Sequence, residues 1–312
     1  MERNNSTVID EERCIGCGEC VAVCPAGTLA IVDGKAKIVG DHSLGCDHCA
    51  AICPTGAISV GFVDPKALKF ATLPSDDNWL EFGEYDASRL VQLMRSRRST
   101  RRFKSEPVPA ELLEDLVKIG ITAPSGKNAQ LWNFTIVKER EAIQTLGHQI
   151  MAYYKKVNGW TKNPLYRILS KLFMRDVLGY YYRNYYQRMK QHIEDFESGR
   201  KDPLFHHAPA LILVSVRDGA YTPAEDAMLA TQNILLAAHA MGLGTCLIGY
   251  ASSAMQREPS IRKTLGIPQW EKVYSVIAVG KSEDRYLRCS GRRTVRPRVV
   301  TAEQMKRRLQ KP

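Results

Sequence analysis

Apolar residues recur along the chain in two rhythms. Leu90, Val91 and Met94 share a helical face, as do Leu112, Leu113, Leu116, Val117 and Ile119, which predicts helices from about Ala87 and over 110–121. The apolar runs 133–137, 211–216 and 273–279 predict strands, and the stretch from Pro223 to Met241 predicts a long helix stopped by Gly242. Interleaved in this order, they predict an α/β or α+β body around one mixed sheet.

The first sixty residues follow a different pattern, short strands in an internal repeat. Val8-Ile9-Asp10 corresponds to Lys37-Ile38-Val39, and Thr28–Ile31 corresponds to Ala57–Val60, with Asp33-Gly34 as the tight turn between halves. So small a core folds poorly on apolar burial alone and calls for staples. Residues 63–86, with Pro65, Pro74 and the polar run Ser75–Asn78, read as a linker that wraps onto the following domain. The expected division is a domain at 1–62, this linker, and a domain at 87–312 carrying a helical insertion at 150–200.

Eight of the thirteen tyrosines fall between Tyr153 and Gly199. Leu165, Ile168, Leu169, Leu172 and Phe173 form one apolar stripe there, and Leu178, Tyr181, Tyr182, Tyr185, Met189 and Phe196 form a second. Three readings stand: a helical excursion packed on the body, a lid walling an aromatic pocket, or a basic amphipathic surface for membranes.

Cysteine placement explains the staples. Cys14, Cys17, Cys20 and Cys24, the last followed by Pro25, have the CxxCxxCxxxCP spacing of an iron–sulfur site, a pattern far too specific for the alternative reading of a zinc site. A twin run follows at 43–54, where Cys46, Cys49 and Cys53 match Cys17, Cys20 and Cys24, but Ser43 stands where Cys14 would be. The pair resembles a bacterial two-cluster (2[4Fe-4S]) ferredoxin. In that pattern the cysteine before proline ligates the other cluster, so Cys14, Cys17, Cys20 and Cys53 would hold one [4Fe-4S] cluster and Cys24, Cys46 and Cys49 the second. The second could be a [3Fe-4S] cluster, a [4Fe-4S] cluster with a ligand from Ser43, Asp41, His42 or solvent, or absent; a [4Fe-4S] cluster is favoured.

Charge divides the chain the same way. Residues 1–60 carry a net −4, leaving +15 on the rest of a chain whose formal charge is +11, so an acidic head faces a basic body. No nucleic-acid-binding motif accompanies the basic body, and nucleic acid is not an expected partner. The polar start Met1–Asn5 does not read as a signal peptide, no apolar run has the length of a transmembrane segment, and free thiolates call for a reducing compartment, so a cytoplasmic location is expected.

Arg97–Phe103, reading RRSTRRF, resembles the opening motif of the FMN-dependent nitroreductase family. Ala123–Trp132 is similar to that family's PSxxNxQPW pattern, with Leu131 in place of proline, and Asp226–Tyr250 resembles its central helix and flavin loop. Asp202–Pro209 resembles the segment entering the next strand in ferredoxin-fused members. The resemblance implies an α+β nitroreductase-like flavin domain behind a ferredoxin-like head, FMN as cofactor, and a homodimer with flavin sites at the interface. By motif, Arg97, Arg98, Ser99 and Arg101 would hold the phosphate and ribityl chain, since guanidinium forks suit phosphate oxygens. Ser125, Asn128 and Gln130 would face the ring or ribityl, the backbone of Ile248 and Gly249 would approach the ring edge, and Arg292 and Arg293 would close the phosphate site. Cys246, His206, His207 and His239 read as structural, and no catalytic acid is assigned.

Together these features point to an oxidoreductase in which iron–sulfur clusters relay electrons to FMN for reduction of a small organic acceptor, of nitroaromatic, quinone or activated-alkene type. The external donor would be ferredoxin, flavodoxin or NAD(P)H, with a one-electron donor favoured over direct use of NAD(P)H. The alternative is an electron-transfer protein that passes electrons via FMN to or from a partner protein.

Overall fold

The computed structural model describes residues 6–309; the polar stretch Met1–Asn5 lies outside the described residues. The head is a pair of pseudo-equivalent halves. β1 (Thr7–Ile9) pairs antiparallel with β4 (Ile58–Val60), and β2 (Leu29–Val32) pairs with β3 (Lys35–Ile38). Asp33 and Gly34 both take positive φ at the β2–β3 turn, which sets the hairpin twist. One short helix follows each cysteine loop, α1 (Glu19–Ala22) and α2 (His48–Ala51). The apolar core between them is small and includes Cys14, Cys20, Leu29, Ala36, Ala57 and Ile58.

Residues 61–86 cross irregularly to the body and are anchored to it at Asp115. The backbone N–H groups of Ala71 and Thr72 and the Thr72 hydroxyl all donate to the Asp115 carboxylate, which is fully buried. Lys118 donates to the Lys69 carbonyl at 2.7 Å and completes the strap.

The body holds α3 (Ala87–Ser96) and α4 (Ala110–Gly120), then the four-stranded sheet. β5 (Trp132–Val137), β6 (Ala210–Arg217), β8 (Glu271–Gly280) and β7 (Gly244–Leu247) lie in that order. Its named strands pair antiparallel, and parallel pairing enters through the Ser99–Thr245 bridge at the β7 edge. The sheet is buried on both faces. α4 and α9 (Pro223–Ala240) cover one with Leu113, Leu116, Ile234 and Ala238. The other packs against α5 (Arg140–Lys162), α8 (Tyr186–Glu197) and α10 (Gly249–Arg257), which contribute Ile150, Met189 and Met255.

β7 emerges from the glycine-rich loop that gave no strand signal in sequence, because four residues are too few for a periodicity. α5 runs unbroken through residue 150, so the helical excursion has no boundary there; α6 (Pro164–Phe173), α7 (Val177–Asn184) and α8 carry the rest of it. α11 (Pro259–Thr264) follows α10, and α12 (Ala302–Leu309) ends an irregular, exposed segment.

Candidate functional site

Two cysteine-lined cavities lie in the head. Cys14, Cys17, Cys20 and Cys53 border one of about 320 Å3, so the cysteine before Pro54 joins the first run. Cys24, Cys46 and Cys49 border the other, of about 370 Å3, so the cysteine before Pro25 crosses to the second run. Backbone N–H groups turn toward both crossing sulfurs: Thr28 N donates to Cys24 Sγ at 3.4 Å and Ala57 N to Cys53 Sγ at 3.3 Å. Burial pushes both thiols up, but these N–H groups and the hydroxyls of Thr28 and Thr55 outweigh it, leaving both below the ordinary thiol value. Donors aimed at sulfur and cavities ringed by thiols fit iron–sulfur clusters, whose sulfurs accept such hydrogen bonds.

Ser43 borders the second cavity and accepts the Gly45 N–H at 3.1 Å through Oγ. Asp47 and His48 border it as well, whereas Asp41 and His42 do not. Gly45 has φ +59° and a Cβ there would meet Phe62 at 2.9 Å, so this turn needs glycine.

The arginine segment lies along the β7 edge. Thr100 N donates to the Thr245 carbonyl at 2.8 Å, and a Cβ on Gly244 would run into the Thr100 hydroxyl, so glycine permits the close approach. Arg97 and Arg98 border a cavity with Ser96, Thr100, His239 and Gly242–Thr245. Arg98 donates to Ser290 Oγ at 2.6 Å and Arg292 donates to the same hydroxyl at 3.1 Å. The C-terminal segment thus brings Arg292 beside Arg98; Arg293 is exposed and borders neither body cavity described here. Among the described residues no carboxylate pairs with Arg97, Arg98 or Arg101, whereas adjacent Arg102 is held by Glu283 and Asp284. Uncompensated guanidinium groups beside a cavity fit an anionic phosphate.

Arg101 turns instead into a large cavity, about 2170 Å3 to its open mouth, with Ile248, Gly249 and Cys246. The tyrosine-rich excursion forms its far wall through Tyr153, Tyr154, Tyr181 and Tyr185, and Tyr250 lines the body side. The Tyr154 hydroxyl donates to the Tyr250 carbonyl at 2.9 Å, and Tyr181 donates to Asn158 Oδ1 at 3.0 Å, which fixes both rings. Burial and then Arg188 push His192 below its ordinary value, and burial dominates the similar shift at His206. Burial also pushes the Cys246 thiol up, away from a nucleophilic thiolate.

Ser125, Asn128 and Gln130 border neither body cavity. Asn128 donates its side-chain amide to the carbonyls of Gly45, at 2.9 Å, and Leu44, at 3.2 Å, so it touches the head next to Cys46. Gln130 donates to Asn128 Oδ1 at 2.9 Å and its backbone N–H to Ser125 Oγ at 2.9 Å. Gly126 N donates to Asp226 near the start of α9, while Arg97 and Arg98 share a cavity with His239 at its end. At 1.5 Å rise per residue, Asp226 and His239 are about 20 Å apart.

Sequence reading missed Asp115, Arg188, His192 and Tyr250. A lone acid inside the apolar stripe of α4 is the one available signal, for Asp115; the others become visible only when α8 and α10 meet.

The nitroreductase family model matches residues 94–281, more than half of the chain. This chain belongs to the nitroreductase family. It is an FMN-dependent oxidoreductase of the nitroreductase type, with a 4Fe-4S dicluster domain matched over residues 7–60. The nitroreductase is similar to the iodotyrosine deiodinase of Thermotoga neapolitana, 28% identical over 195 residues that span 62% of this chain and 89% of the relative. It is also similar to the 4-nitrobenzoate reductase of Nocardioides sp., 24% identical over 223 residues, 66% of this chain and 85% of the relative. Among solved structures, an FMN-bound nitroreductase from Bacteroides fragilis superposes with a TM-score of 0.48 at 24% identity, covering 68% of this chain and 97% of that one.

Proposed function

We propose that this nitroreductase couples iron–sulfur clusters in its head to FMN in its body for reduction of a small planar organic acceptor held in the tyrosine-walled cavity. The carrying observation is the contact of Asn128 with Gly45 and Leu44, which seats the second cysteine cavity against the flavin-domain loop. A head joined only by a loose linker would make no such contact.

Cys14, Cys17, Cys20 and Cys53 would hold the first cluster, and Cys24, Cys46 and Cys49 the second, with Ser43 at its fourth position. Arg97, Arg98 and Arg292 would neutralise the FMN phosphate, Ser99 and Arg101 would continue along the ribityl chain, and Ile248 and Gly249 would border the ring. FMN, when bound, exchanges electrons singly or in pairs, a chemistry that side chains lack. Tyr153, Tyr154, Tyr181, Tyr185 and Tyr250 offer rings against which a planar acceptor stacks while water is displaced. Nitroaromatics, quinones and activated alkenes fit that wall, and the names of the two relatives above carry aromatic compounds. An open aromatic cavity favours an enzyme over a protein-to-protein relay.

The body is proposed to work as a homodimer. The two sequence segments assigned to one flavin sit at opposite ends of α9, roughly 20 Å apart, too far for one chain to close the site alone. A second copy with α9 antiparallel brings Arg97 and Arg98 of one protomer to the Ser125–Gln130 loop of its partner. Leu90, Val91 and Met94 on α3 and Met228 and Leu229 on α9 leave an apolar face exposed for that contact. Arg293 would join the phosphate site only in that assembly.

Mixing the oxidised full-length protein anaerobically with reduced ferredoxin, reduced flavodoxin or NADH tests the reading. Rapid bleaching of the flavin band by the one-electron donors supports it; rapid reduction by NADH alone overturns it. A turnover screen of the reduced protein against the three acceptor classes then reports the substrate.

A further inference from the structure

The tip of the excursion carries an apolar surface that the body does not cover. Leu165, Ile168, Leu169, Leu172 and Phe173 recur at i, i+3, i+4, i+7 and i+8 along α6, and all five are exposed, Leu172 at 70% and Phe173 at 80%. Met174, Val177 and Tyr180 extend the stripe onto α7. Asn163 caps α6 by accepting the Leu165 N–H, and Ser170, its one buried residue, accepts the Leu178 N–H, so the two helices form one built unit. A contiguous apolar face of this kind on a protein surface marks an interaction site.

Charge identifies what it meets. Residues 155–190 hold nine bases and a single acid, Asp176; Arg183 pairs with that acid, and Lys155, Lys156 and Lys190 pair with Glu197, Glu258 and Glu194, which leaves five bases with no carboxylate partner among the described residues. Lys162, Lys171 and Arg175 flank the stripe in the open. Trp160, Tyr166 and Tyr180 are exposed around it, the aromatic types that settle at a lipid headgroup boundary. We propose that the α6–α7 tip docks on an anionic lipid bilayer, with the stripe at the acyl boundary and the bases among the headgroups. A second copy is a poor occupant, because it would bring the same uncompensated bases face to face. Among the described residues no helix is long and apolar enough to cross a membrane, so the docking is peripheral.

Trp160, Met174 and Val177 belong to both this surface and the lining of the large cavity. The cavity mouth therefore opens beside the bilayer, and an apolar, planar acceptor dissolved in lipid enters it laterally. This second step rests on the cavity being the substrate site, as proposed above.

Sedimentation of the full-length protein with phosphatidylcholine vesicles, with and without phosphatidylglycerol, reads the docking independently of turnover. Binding is expected with phosphatidylglycerol, weakened by salt, and reduced at least about tenfold by Leu172→Glu with Phe173→Glu, exposed positions whose change should leave the melting curve intact. Absence of vesicle binding, or binding that survives the double substitution, overturns the proposal. A double variant that loses its oligomeric state in light scattering assigns the face to a second copy instead. Displacement by soluble polyglutamate with undiminished binding to neutral vesicles assigns the bases to an acidic protein, which also overturns it. Docking without use of any lipid-soluble acceptor would strike the substrate reading alone.

Discussion

Asn128 and Gly45 join the two domains: the Asn128 amide donates to the Gly45 carbonyl at 2.9 Å, one residue before Cys46. The same amide reaches the Leu44 carbonyl, and Gln130 orients it from the other side through Asn128 Oδ1. Both carbonyls sit on the turn that closes the second cysteine cavity. The orientation of the head is thereby tied to the loop that precedes β5.

Replacing Asn128 by alanine removes two hydrogen bonds at this junction, worth about 1–2 kcal/mol together. The docking equilibrium constant of the head should fall by about tenfold, and electron transfer from the reduced head to flavin should slow to the extent that undocked heads become populated. Stopped-flow absorbance, with the iron–sulfur band as internal reference, measures it; an unchanged rate would show that the contact does not position the head.

Ser43→Cys supplies a fourth thiolate to the cavity of Cys24, Cys46 and Cys49. Ligand type sets cluster potential and composition. The variant should hold about eight irons per chain through purification in air, lose any three-iron paramagnetic signal, and titrate at a more negative potential than the parent. Iron and sulfide assay with electron paramagnetic resonance checks this outcome.

Arg97 and Arg98 have no carboxylate partner among the described residues, and the neutral hydroxyl of Ser290, to which Arg98 donates at 2.6 Å, leaves the guanidinium charge free for the phosphate proposed there. Charge-assisted hydrogen bonds contribute about 1.5–3 kcal/mol each. Arg98→Ala should weaken FMN binding by roughly tenfold to a hundredfold, and Arg98→Lys should restore only part of it, since the ammonium lacks the fork. Fluorescence titration of the apoprotein with FMN reads both.

Asp115 gives a pH signature. Burial pushes its carboxyl up, but the Thr72 hydroxyl, the Ala71 and Thr72 N–H groups and Lys118 outweigh it and lower the pKa from the usual 3.8 to about 2. The stability it contributes is therefore fully present above about pH 4 and is lost as pH falls through about 2. Asp115→Asn should cost about 2 kcal/mol near neutral pH and abolish that acid-dependent component, because its amide cannot accept every bond. Thermal melts between pH 2 and 7 separate the two effects.

Much of the local architecture was legible. CxxCxxCxxxCP spacing and its Ser43-led twin marked the two cysteine loops, because ligand spacing is a local property of the loop; the crossing of Cys24 and Cys53 was implied by the ferredoxin resemblance, and each side chain lines the cavity of the other run. Helices α4 and α9 and strands β5, β6 and β8 showed in their apolar periodicity, since burial of one face repeats along the element. β7 did not show, being four residues long inside a glycine-rich loop.

The sequence by itself determined the residue types: thiols at cluster spacing, guanidinium groups at Arg97, Arg98 and Arg101, and a tyrosine-rich excursion. Tertiary structure decided where they meet. It carried Asn128 to the head rather than to either body cavity, split Arg101 from Arg97 and Arg98 between two cavities, and turned Tyr153, Tyr154, Tyr181 and Tyr185 toward Tyr250. Local spacing fixes which atoms are available within one turn of helix or one loop. Which distant segments share a cavity depends on how α5, α8 and α10 pack across the sheet, and that is a sum of many weak long-range contacts that no single stretch encodes.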